Sequence, residues 1–129
     1  MTTNYPTDPA DILEAAADEL QANGWIKKRL KDVNGRHCAI GAMQKVVGYE
    51  EAWRQHIESW RPAETTREPL VEASRRYMLA EAVLAHHLSQ EGLTVSVGGW
   101  NDQPERTAEE VIDVMKHVAK DLRNRKEAA

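Results

Sequence analysis

The sequence predicts an all-α fold, a compact bundle of about five helices with allowance for a short β-hairpin or a single strand pair. Three observations point there. Apolar residues recur at helical spacing in five separate stretches. Start and stop signals bracket those stretches: Pro9 and Thr107 at beginnings, Gly24, Gly48 and Gly92 at ends. Only Leu93 to Val97 alternates apolar with polar in the manner of a strand. The 129 residues suit one domain, 1–129, with flexible ends at about 1–7 and 124–129.

The first helix begins near Asp8, with Pro9 suited to the first turn. Ile12, Leu13, Ala16, Ala17 and Leu20 share one face, and Asp11, Glu14, Asp18 and Glu19 lie off it. Asn23-Gly24 ends it, Gly24 being free to take a left-handed conformation. Trp25 to Lys31 follows neither period and reads as an irregular basic arm, and Asn34-Gly35 is a turn that would suit a hairpin.

The second helix spans roughly Cys38 to Val47. It is apolar over a wide arc, as a mostly buried helix is. Gly41 costs it about 1 kcal/mol of propensity relative to Ala. Close packing of another backbone on that face would explain the glycine. A third helix, about Glu50 to Trp60, carries Trp53, Ile57 and Trp60 on one side. Arg61 to Pro69 reads as a loop. The longest helix, about Leu70 to Gln90, has a stripe of Leu70, Ala73, Tyr77, Ala80, Leu84 and Leu88. After the Gly98-Gly99 joint and the Trp100-Asn101-Asp102 turn, Thr107 and Glu110 match a capping box. The last helix then presents Val111, Val114, Met115, Val118 and Leu122 to the core.

The net charge of −4 excludes a generally basic, nucleic-acid-binding coat, though not a local patch. One cysteine, Cys38, allows neither an internal disulfide nor a cysteine zinc cluster. No apolar run approaches the roughly 20 residues of a membrane span, and Met1 to Pro9 has no signal-peptide pattern. A cytoplasmic location without membrane contact is the simplest expectation.

An ordered set of residues carries a resemblance. Asn23-Gly24-Trp25 follows the first helix. His37-Cys38-Ala39-Ile40-Gly41-Ala42 opens the second. Trp100-Asn101-Asp102 precedes Arg106-Thr107 and Glu110-Val111-Ile112. The chain thereby resembles a family of small uncharacterised proteins, a domain of unknown function from actinobacteria and their phages. The resemblance runs from about Ile12 to Ala119. It implies a compact helical domain in a phage or actinobacterial setting and transfers no catalytic residue.

Four constellations could carry chemistry. Cys38 sits at a helix start, where the dipole favours a thiolate. A nucleophile there would need a base such as His37, oriented by Asn101 or Asp102. The preferred alternative is a small core residue. Trp100, Asn101 and Asp102 could hold a ligand on an exposed turn. The preferred alternative makes Trp100 a core plug and gives Asn101 and Asp102 backbone partners. Lys27, Lys28, Arg29 and Lys31, interleaved with Trp25 and Ile26, could meet nucleic acid, or could balance the acidic first helix as a solvated arm. Of the four tryptophans, Trp60 is the most plausible exposed anchor for a partner. Adjacent histidines such as His86 and His87 point about 100° apart on a helix, which disfavours a shared metal. No metal site and no cofactor is expected.

The leading expectation is a non-enzymatic protein-interaction module with a host or phage partner, open to homodimerisation. Its binding residues would come from Trp60, Trp100, Asn101, Asp102, Lys27, Lys28 and Arg29. A cysteine-dependent enzyme using Cys38 with a histidine and Asn101 or Asp102 is the second reading. Nucleic-acid binding through the arm 27–36 is the third.

Overall fold

A computed structural model of the chain describes residues 4–59, 64–92 and 96–128. Among these residues there are six helices: α1 (Pro9–Asn23), α2 (Ala39–Val46), α3 (Tyr49–Glu58), α4 (Glu64–Gln90), α5 (Val97–Asn101) and α6 (Ala108–Ala128). The fold is all-α, as expected, with one helix more than the sequence pattern suggested. No β-sheet is present among the described residues. In place of a hairpin, the arm makes two isolated bridges, Trp25 with His37 and Lys31 with His37.

The local signals explain most helix ends. Asp8 caps α1 by accepting from the Ala10 N–H, with Pro9 behind it. Gly24 ends it at φ 105° and ψ 160°, a positive φ but with an extended ψ rather than the left-handed helical one. Thr107 and Glu110 form the capping box: the Glu110 N–H donates to Thr107 Oγ1, and the Thr107 N–H donates to Glu110 Oε1, both at 3.2 Å.

Two boundaries differ from expectation. α4 begins at Glu64, inside the stretch read as a loop. Pro69 is tolerated because it sits near the helix start, where it forfeits a single intrahelical bond. The Trp100-Asn101 turn is itself the end of a short helix. Ser96 caps that helix by accepting from the Gly99 N–H, which draws Val97 into the core instead of leaving it in a strand. Leu93 to Val95 lies outside the described residues.

The core is continuous. Ile12, Leu13 and Leu20 of α1, Met43 of α2, Leu84 and Leu88 of α4, Trp100 of α5 and Val111 and Met115 of α6 are all buried in it. Each such side chain contributes about 1.5–3 kcal/mol on burial. The predicted faces of α1, α2, α4 and α6 match this core. α3 adds little to it: only Ala52 is buried on it, while Trp53 and Ile57 are 47% and 58% exposed.

α1 packs most extensively against α6, and the two run antiparallel. Lys126 meets Asp8 at 2.6 Å, and Arg123 meets Asp11 at 2.7 Å and Glu14 at 2.6 Å. Lys116 reaches Gln21 at the other end. The carboxylates of α1 are therefore balanced by α6, together with Lys45 on Glu19, and not by the basic arm.

Candidate protein-interaction site

Asn101 organises the region where the sequence motifs meet. It is fully buried. Its Oδ1 accepts from the Trp25 indole N–H at 2.6 Å and from the Ala39 N–H at 3.0 Å. Its Nδ2 donates to the Ile26 carbonyl at 3.2 Å and to Asp102 Oδ1 at 3.0 Å. Two acceptor and two donor places are thus filled, the full capacity of a primary amide. One side chain joins α5, the start of α2 and the root of the arm.

Asp102 extends the lock. Its Oδ1 accepts from the Lys28 N–H at 2.8 Å. Lys28 has φ 67°, a left-handed conformation that a lysine adopts only under constraint. Lys27 donates to the Pro104 carbonyl at 2.8 Å and lies over the Trp25 ring. Trp100 is buried, with the Arg106 guanidinium 5.2 Å from its ring centroid. Arg106 Nε also donates to the Trp100 carbonyl. The Trp100 carbonyl, the Asn101 amide and Asp102 Oδ1 all bind groups of the fold itself.

The arm then crosses α2. The Leu30 carbonyl accepts from the Cys38 N–H and rests on Gly41, where a Cβ would stand 2.0 Å from the Leu30 oxygen. This is the close backbone approach that the glycine implied. Beyond this crossing Arg29, Lys31 and the fully exposed Val33 face solvent, as does half of Leu30.

Cys38 caps α2, its Sγ accepting from the Gly41 N–H at 3.3 Å. It lies beside the Asn101-Asp102 lock, since the next residue's N–H binds Asn101. Burial pushes the Cys38 thiol up, and the Asp102 charge adds to this, while the Gly41 and Ile40 N–H groups offset part of it. The thiol therefore stays protonated at neutral pH. His37 is buried, with Nδ1 3.1 Å from the Gly35 carbonyl and Nε2 2.7 Å from Glu50 Oε1. The Gly35 carbonyl can only accept, so Nδ1 is the donor in that contact, and Nε2 is engaged by the Glu50 carboxyl. Neither ring nitrogen is turned to the thiol. His37 instead ties the arm to α3.

The remaining histidines are dispersed. His87 of α4 and His117 of α6 meet edge to face at 5.5 Å between centroids. No group of three or more metal-ligating side chains occurs among the described residues. Trp60 lies outside them.

A cleft of about 1630 Å³ lies between α3, the first half of α4 and the arm. Its lining includes Leu30 and Lys31 of the arm, Tyr5, Val47, and Trp53 and Ile57 of α3. The sequence put Trp53 and Ile57 on one stripe of α3 without saying what covers it. The signal that separates them from core residues is the company they keep: between Gly48 and Ser59 Trp53 and Ile57 stand among Glu50, Glu51, Arg54, Gln55, His56 and Glu58, whereas α2 is apolar over a wide arc.

The described elements define an all-α domain closed by a buried asparagine, with an apolar cleft on its outer helical hairpin. The chain belongs to the family of unknown function DUF6197, whose model matches residues 4–121. Neither a curated protein nor a solved structure matches the chain. No described helix is long and apolar enough to cross a membrane.

Proposed function

We propose that the domain is a non-enzymatic protein-interaction module that docks its partner in the α3–α4 cleft. The observation that carries this reading is the exposure of Trp53 and Ile57, one turn apart on a helix that buries almost nothing else. Large apolar side chains grouped around a cleft mark an interaction surface, and tryptophan is favoured as an anchor. The motif residues serve a different end: Asn101 and Asp102 hold the arm on α2, and the arm forms one wall of the cleft. We take the partner to come from the actinobacterial or phage setting that the sequence resemblance implies, met in the cytoplasm. A thiol enzyme has less support, because the Cys38 thiol is buried, raised and without a base.

Affinity capture from lysate of the source cells tests the proposal, run in parallel on the wild type and on a Trp53→Asp/Ile57→Asp variant. Circular dichroism first establishes that both are folded. A partner held by the wild type and lost by the variant supports the cleft. A partner retained equally by both places binding elsewhere and ends the proposal.

A further inference from the structure

We infer that the segment taken by the cleft is an acidic, apolar stretch of a partner protein whose carboxylates meet Lys31 and Arg76; this rests on the cleft being the docking surface. Size is the first argument. At about 1630 Å³ and open to solvent, the cleft exceeds the roughly 300–1,000 Å³ of small-molecule sites. It suits a length of polypeptide better than a metabolite.

Charge is the second. Most ionic groups along the walls are compensated from within the molecule. Lys45 pairs with Glu19, Arg54 with Glu51 and Glu58, Glu72 with Arg75, and Glu50 with His37. Lys31 and Arg76 are the exceptions: neither has an ion-pair partner among the described residues, and Arg76 is half-buried. Glu68 is the one wall carboxylate in the same position. Next to Lys31 the arm adds Arg29, also exposed and unpaired among the described residues. The lining itself is balanced, four basic against four acidic side chains, but once the internal pairs are set aside Lys31 and Arg76, with Arg29 beside them, stand against the single carboxylate of Glu68. A carboxylate-bearing partner would be steered to these cations and held in register by them.

Chemistry separates a peptide from a nucleic acid. The Trp53, Ile57 and Leu30 side chains need apolar contact, which a phosphate backbone does not supply. Glu68, which lacks an ion-pair partner among the described residues, lies on the same lining and disfavours the closely spaced charges of a nucleic acid strand more than the few, placeable carboxylates of a peptide. A peptide can place its few carboxylates at Lys31 and Arg76 and present apolar side chains elsewhere.

Selection of short random peptides against the full chain at low salt supplies the probes. The selected peptides are then measured against the wild type, Trp53→Asp/Ile57→Asp and Lys31→Glu/Arg76→Glu. The expected peptides combine apolar residues with Asp or Glu. Both variants bind them about tenfold or more weakly, and high salt weakens binding to the wild type. Peptides that need Trp53 and Ile57 but lack acidic enrichment, or ignore the charge reversal, overturn the inference and leave the docking surface standing. A selection yielding no peptide sensitive to Trp53→Asp/Ile57→Asp removes the docking surface itself. Random-sequence DNA bound through Lys31 in preference to the selected peptides overturns the inference in favour of a nucleic acid. Should the charge-reversal pair fail to fold by circular dichroism, Lys31→Gln/Arg76→Gln gives the same comparison.

Discussion

The Trp25 indole N–H donates to Asn101 Oδ1 at 2.6 Å, joining residues 76 positions apart. Because the same oxygen also holds the first N–H of α2, one amide sets the position of both the arm and the helix it crosses. Removing that amide leaves the buried Ala39 N–H without a partner, which costs about 2–3 kcal/mol. Asn101→Ala is expected to lower the melting temperature by about 10 °C. Asn101→Asp is expected to do no better, since it keeps the acceptor, loses both donors and sets a second carboxylate against Asp102. Differential scanning calorimetry of the two variants checks this, and wild-type melting in either one contradicts the role assigned to Asn101.

Gly41 offers a sharper test of the arm crossing. On propensity alone Gly41→Ala would stabilise α2 by about 1 kcal/mol. The Leu30 carbonyl stands where the new Cβ would go, so a net loss of about 2 kcal/mol or more is expected. Gly35→Ala is the control: its φ of 82° is strained for alanine, but no atom lies within 4 Å of the added carbon. That variant should lose only about 1 kcal/mol. Urea unfolding that ranks Gly35→Ala as the more damaging change would contradict the close approach.

The Cys38 thiol is expected to react slowly with iodoacetamide at neutral pH, becoming reactive only on denaturation. Cys38→Ser preserves a cap acceptor for the Gly41 N–H, whereas Cys38→Ala removes it at about 1 kcal/mol. Rapid labelling of the native protein would restore the thiol as a candidate nucleophile.

Stability should fall in acid. A hydrogen bond from Lys126, then one from the Ala10 N–H, holds the Asp8 carboxyl below its ordinary range. Burial would raise Glu19, but Lys45 and Asn23 overcome it and hold it low. Groups lowered in the folded state bind protons more readily when unfolded. Their contribution is therefore complete above the unfolded values of about 4 and is lost as pH falls through the folded ones. The urea midpoint should be level from neutral pH to about pH 5 and drop below about pH 4. Glu19→Gln should flatten the drop, and an acid-insensitive midpoint would count against these pairs.

The core faces of α1, α2, α4 and α6 were legible because a buried stripe at helical spacing leaves little choice of side. The apolar side of α3 was legible but not its cover, because Trp53 and Ile57 repeat at the same spacing whether a core or a partner lies opposite. Pattern reports that a face is apolar and not what lies opposite. The capping box at Thr107 was readable as local chemistry. The partners of Asn101 were not, since Trp25, Ile26 and Ala39 lie more than 60 residues away along the chain. Gly41 stands between these cases: its presence in a helix announced a close approach, but only the fold shows that Leu30 makes it.

The pairing of α1 with α6 has a consequence for synthesis. The apolar face of α1 leaves the ribosome well before its main cover, α6, is made. Until then Ile12, Leu13 and Leu20 lack the wall that Val111 and Met115 provide. This part of the core therefore closes only after α6 has emerged, and its apolar face is open to chaperones and proteases in the interval.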